Sequence, residues 1–100
     1  MSSDSVHRYV IAYDVASDTR RTRVAKTLES YGDRIQFSVF LVAAKPAKML
    51  RLRATIINQL LLSADSVLIC DVGTIATSRS RSLDYVGATR PITGTGPMVI

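Results

Sequence analysis

Asp14 closes the run Arg8-Tyr9-Val10-Ile11-Ala12-Tyr13-Asp14-Val15, an aromatic and β-branched stretch that predicts a buried strand. Composition then changes abruptly. Ala16-Ser17-Asp18-Thr19 supplies helix N-cap chemistry, and Arg20-Arg21-Thr22-Arg23 opens a helix. One acid is thus delivered to a sheet edge with arginines directly beside it. A carboxylate can hold a hard cation and arginines can hold phosphate, which is the chemistry of a nucleic-acid site. The competing reading is an ordinary strand-to-helix junction whose acid caps the helix.

A divalent ion such as Mg²⁺ takes oxygen ligands, usually one or two carboxylates plus waters and substrate phosphate. A single Asp14 is a thin site. Two copies related by a two-fold axis would supply two carboxylates around one shared Mg²⁺. The ion could then polarise a phosphate and activate water for phosphodiester hydrolysis. No second histidine accompanies His7, and no Ser-His, Cys-His or glycine-rich phosphate loop is present. Metal-assisted hydrolysis is therefore the enzyme chemistry these residues support. The rival class is a binding module without catalysis. Arg20, Arg21, Arg23, Lys26 and Arg34, with Arg79 and Arg81, would track phosphates, and Asp14 would be a cap or an arginine partner. A small-molecule regulator is a third class, disfavoured by the lack of a glycine-rich or aromatic-lined pocket motif.

The totals fit a polyanionic partner. The chain has 100 residues, 13 Lys+Arg against 8 Asp+Glu, and a net charge of +5. This length predicts a single domain over residues 1–100, small enough to gain from dimerisation. The lone Cys70 excludes an intrachain disulfide and a cysteine-rich zinc site, and its apolar surroundings predict a buried thiol. No signal core and no apolar stretch near the ~20 residues of a membrane span occurs, so a cytoplasmic protein with no membrane association is expected.

The elements that would position Asp14 follow in order. Residues 1–6 are expected to fray. The first strand covers His7–Val15, with His7 at the surface. A helix covers Asp18–Tyr31, capped by Ser17 or Asp18 and stopped by Gly32. Val24, Leu28 and Tyr31 form its core stripe, Arg21 leans toward Asp14, and Arg23 and Lys26 point to an outer flank. In Arg34–Val42 apolar and polar residues alternate until Phe40, which falls on the polar side and either packs under a neighbouring element, the preferred reading, or covers a partner surface. That break invites a bulge or reversal near Gln36–Ser38 and leaves open whether the segment holds one strand or two. A second helix starts at Pro46 and runs to Leu62. Its stripe of Met49, Leu52, Ile56 and Leu60 is widened by Leu50, Ile57 and Leu61. Ser66–Val72 is a strand closed by Gly73, with Asp71 structural. Leu83–Val86 is a short strand, and residues 88–100 form a tail whose Met98-Val99-Ile100 adds to a sheet edge. The order is that of the α+β, ferredoxin-like β-α-β-β-α-β sandwich, an antiparallel sheet with both helices on one face. The other face is left bare for a second copy.

Three motifs together resemble one family. Tyr13-Asp14-Val15, then Asp18-x-x-Arg21-x-Arg23-Val24-Ala25, then Gly32-Asp33-Arg34-Ile35-Gln36-Phe37-Ser38-Val39-Phe40 are similar to the CRISPR-associated protein two family, also called CRISPR-associated endoribonuclease two. The resemblance covers about residues 9–42 closely and the remainder in outline. It implies a ferredoxin-like homodimer whose C-terminal strand packs against the partner's sheet. It implies a role in spacer acquisition, in which the dimer bridges copies of the integrase, CRISPR-associated protein one, and holds duplex DNA. It also implies a Mg²⁺-dependent endonuclease activity on DNA or single-stranded RNA. Asp14 would be the metal ligand, one from each subunit, and Tyr13, Arg21, Arg23, Arg34 and Phe40 fall on positions tied to that activity. A scaffold that binds DNA without cleaving it is the alternative.

Overall fold

Period-two burial along residues 9–14 divides that part of β1 (His7–Asp14) between two faces. Tyr9, Ile11 and Tyr13 are buried on one side, while Val10, Ala12 and Asp14 alternate on the other. The computed structural model describes residues 5–75, 84 and 86–88. Within them the order is β1 (His7–Asp14), α1 (Asp18–Glu29), β2 (Gly32–Gln36), β3 (Val39–Ala44), α2 (Pro46–Ile57) and β4 (Ser66–Thr74). The strands form one sheet in the order β2-β3-β1-β4, with every neighbouring pair antiparallel. This is the ferredoxin-like arrangement. It places β1, and with it Asp14, in the interior of the sheet. The expected strand at Leu83–Val86, the loop cations Arg79 and Arg81, and the edge-adding tail at 88–100 lie essentially outside the described residues.

Both helices cover the same face. Val24, Ala25 and Leu28 of α1 and Met49, Leu52 and Ile56 of α2 join Tyr9, Ile11, Tyr13, Phe40, Val42 and Ala44 in one core cluster. A second, smaller cluster lies on the opposite face, where Ile35 and Leu41 pack with Val10 and Val39. That face has no described helix over it. It carries Ala12 and Leu68 as cross-strand partners, with Leu68 66% exposed. Cys70 belongs to the same face, opposite Val10, and is exposed. The expectation of a buried thiol is thereby corrected: an apolar strand is not buried on both sides when only one side has helices.

Helix α1 starts as its capping residues dictate. Ser17 is the N-cap, and its Oγ accepts the Arg20 amide at 3.2 Å. Asp14 is therefore not a helix cap. The helix ends at Glu29, with Ser30 as C-cap donating its hydroxyl to the Thr27 carbonyl at 2.6 Å. Gly32 does not stop the helix. It opens β2, where a Cβ would collide with the Leu41 carbonyl and crowd Val42 across the ladder. The segment after it is two strands, with Phe37 and Ser38 in the turn and an irregular register between Arg34 and Gln36. Phe40 falls out of alternation for that reason and is fully buried.

Helix α2 begins with Pro46 in its first turn and ends at Ile57, well short of Leu62. Beyond it, the Asp65 carboxylate accepts the Leu61 amide at 2.9 Å, and the Asp65 amide donates to the Leu61 carbonyl at 2.8 Å. These bonds turn the chain back toward β4. The predicted broad stripe is accordingly narrower: Leu50, Ile57, Leu61 and Leu62 are exposed. Among the described residues, no helix is long and apolar enough to cross a membrane.

Candidate functional site

The end of β1, the turn between β2 and β3, and the first turn of α1 converge around Asp14. The Asp14 side chain is exposed, and it makes no hydrogen bond or ion pair among the described residues. Its cross-strand partner on β4 is Ser66. Behind it, Tyr13 is buried and ties β1 to the β2–β3 turn twice. Its amide donates to the Ser38 carbonyl at 3.0 Å and its hydroxyl to the Phe37 carbonyl at 3.4 Å.

Arg34 fastens the same turn from β2. Its Nη1 donates to the Phe37 carbonyl at 3.1 Å, while Nη2 lies 3.5 Å from Glu29. The guanidinium sits 5.1 Å from the centroid of the Phe40 ring, which in turn stacks on Tyr13 at 6.2 Å. Tyr13, Arg34 and Phe40 are thus one packed unit that sets the position of the turn beside Asp14. None of the three is arranged as a free catalytic group, and Arg34 is already engaged instead of being an open phosphate contact.

The cations of α1 differ in kind. Arg20 does not stand as a free phosphate-tracking cation: its Nε and Nη2 donate to the two Asp65 oxygens at 2.7 and 3.1 Å. Asp65 also accepts the Ala16 amide at 3.0 Å, so one carboxylate binds the β1–α1 junction to the loop before β4. The Arg20 hydrogen bonds, followed by those of the two amides, hold the Asp65 carboxyl far below the usual carboxylate range. Arg21 does not lean on Asp14. It pairs with Asp18 at 2.6 Å, and the 94% exposure of that aspartate makes the pair weak and displaceable. Arg23 and Lys26 are exposed and have no ion pair among the described residues.

Sequence reasoning passed over Asp65. One signal was present: it is the first acid after an acid-free stretch from Lys45 to Ala64, and it stands immediately before a strand. The sequence puts His7 at the surface at the start of β1, and the structure adds a partner: its Nδ1 lies 3.0 Å from both Asp71 oxygens. That contact, with the Gly73 amide at 2.8 Å, holds the Asp71 carboxyl below its usual range. Among the described residues no group of three or more His, Cys, Asp or Glu gathers as a metal cluster.

Comparison with known proteins places this arrangement. The family model for CRISPR associated protein Cas2 matches residues 7–79. A protein of Chlorobaculum tepidum named CRISPR-associated endoribonuclease Cas2 is 31% identical over 96 residues, covering 91% of this chain and 97% of that protein. One of Rhodospirillum rubrum, CRISPR-associated endoribonuclease Cas2 4, is 50% identical over 56 residues, spanning 53% of this chain but only 45% of its own length. Streptococcus pyogenes Cas2 superposes with a TM-score of 0.70 at 25% identity, covering 80% of this chain and 99% of that one. A chain of a partial Cas6-RT-Cas1–Cas2 complex gives a TM-score of 0.65 at 29% identity, covering 78% and 83% of the two chains. With a family match over most of its length and the same fold in the relatives, the chain belongs to the Cas2 family of CRISPR-associated proteins.

Proposed function

We propose that this protein is a homodimeric spacer-acquisition protein that binds duplex DNA, bridges the Cas1 integrase, and cleaves RNA or DNA through a Mg²⁺ site built from Asp14 of each subunit. The observation that carries the reading is the position of Asp14. It is an exposed, uncommitted carboxylate at the end of an interior strand, on the sheet face that no described helix covers. A two-fold interface uses the same patch on both subunits, so pairing these faces brings two such carboxylates into one site. The relatives named endoribonuclease and the structure containing Cas1 with Cas2 support the nuclease and integrase parts of the reading.

The donor set fits a hard cation. An exposed aspartate with free oxygens suits Mg²⁺, which needs only one or two carboxylates when waters and substrate phosphate complete its shell. When bound, the ion supplies charge neutralisation at the phosphate and an activated water. The chain's own residues do the rest. Arg21 can exchange its solvent-exposed partner Asp18 for a phosphate oxygen. Arg23 and Lys26 hold the backbone of the nucleic acid farther along α1. Tyr13 and Arg34 keep the Phe37 carbonyl, and so the turn beside Asp14, in place.

A scaffold without catalysis is the second reading. It is favoured by the exposed Arg23 and Lys26, which need no carboxylate to hold phosphate. Cleavage of labelled single-stranded RNA and duplex DNA, by wild type and Asp14→Ala, with Mg²⁺ and with EDTA, separates the two. Cleavage that requires both Asp14 and Mg²⁺ supports the nuclease. Equal cleavage by the variant, or none by wild type, leaves the scaffold.

A further inference from the structure

Phe37 is exposed by 67%, although it is an aromatic residue in a tightly held turn. We infer that Phe37 is a stacking platform for one unpaired nucleobase, placed beside Asp14 to seat a single strand at the proposed site. The inference rests on the nucleic-acid reading above and deepens it.

The position follows from the ladder. Ala12 pairs with Val39, and the next bond runs from the Tyr13 amide to the Ser38 carbonyl at 3.0 Å. Tyr13, the residue before Asp14, also donates its hydroxyl to the Phe37 carbonyl at 3.4 Å, so the turn is fastened beside the end of β1.

The ring has no inward alternative. The helix-covered face beneath the turn is filled by Phe40 and Tyr13, which are 0% and 6% exposed. The Phe37 carbonyl is held by both Arg34 and Tyr13, so the turn cannot roll to bury the side chain. The chain therefore presents a rigid aromatic surface to solvent at a cost in exposed apolar area. Its chain neighbours, Gln36 at the end of β2 and Ser38 in the turn, are polar, and Gln36 is exposed. A nucleobase matches that geometry: it has a flat face for the ring and a polar rim for Gln36. Stacking needs an unpaired base, so the platform favours single strands over duplex.

The protein has no tryptophan, so Phe37→Trp introduces a lone indole reporter. In EDTA, to prevent cleavage, single-stranded RNA should quench that indole, whereas a matched abasic oligonucleotide should not. Phe37→Ala should weaken single-strand binding roughly 5- to 150-fold, the range one stacked base spans, with duplex binding within about two-fold of wild type. Asp14→Ala should leave the Phe37→Trp quenching intact, which keeps loss of cleavage separate from loss of stacking. Single-strand affinity unchanged by Phe37→Ala, equal quenching by the abasic oligonucleotide, or dissociation of the dimer by Phe37→Ala would each overturn the inference. A wild type that binds no nucleic acid at all would instead overturn the reading beneath it.

Discussion

Replacing Phe40 by alanine separates two explanations for a residue that family resemblance ties to activity. The ring is fully buried, stacked 6.2 Å from Tyr13 and capped by Arg34 at 5.1 Å. Truncating a buried phenylalanine costs about 3–5 kcal/mol, and the two ring contacts place this site near 4 kcal/mol. At an m-value of about 1.5 kcal/mol/M the urea midpoint should fall by roughly 2.5 M. Phe40→Leu refills most of the volume and should cost about 1.5 kcal/mol, or roughly 1 M. Urea titrations by circular dichroism, at one protein concentration, should be read beside nucleic-acid binding and cleavage. The structure predicts that activity follows stability: the leucine variant stays active and the alanine variant loses both, because Tyr13, Arg34 and the turn lose their common support. An alanine variant with an unchanged midpoint and no activity would refute the reasoning, since it would mean that the ring touches substrate.

Other perturbations test the charges. Arg23→Ala with Lys26→Ala should reduce the slope of log K against log salt for duplex DNA by about 1.8, at ~0.9 per phosphate contact, and an unchanged slope would place the DNA elsewhere. Arg20→Ala should leave that slope intact while lowering the melting temperature, because its guanidinium already serves Asp65. The depressed carboxyls of Asp65 and Asp71 give stability that is fully present above the unfolded-state value of about 3.9 and lost as pH falls from there toward their folded values. Melting curves between pH 5 and pH 2, read as about three points, should show that loss shrink in Asp65→Asn; an identical acid profile would remove Asp65 from the account.

Much of the scaffold is written locally. The aromatic and β-branched run of β1, Ser17 at the start of α1 and Pro46 at the start of α2 depend on neighbours a few residues away, and each forms its element in the structure. Phe40 out of phase marked the turn and bulge that split Gly32–Ala44 into two strands. The site was less legible because its partners are distant in sequence. Arg20 finds Asp65 across 45 residues, which converts an apparent phosphate contact into a clamp. Cys70 and Leu68 lie in an apolar run, but burial was decided by which sheet face received the helices. The end of α2 depended on an aspartate eight residues beyond it that captures the Leu61 amide. Asp14 itself stood out early because a strand-terminal acid before a cluster of arginines is a local pattern.

Mixing wild type with Asp14→Ala, with time for subunits to exchange, tests the paired site most directly. If each active site needs Asp14 from both subunits, an equal mixture should retain about one quarter of the Mg²⁺-dependent cleavage of wild type at the same total concentration, the share of dimers with two intact copies. Activity of about one half, linear in the wild-type fraction, would show that each chain acts alone and would contradict the shared carboxylate site.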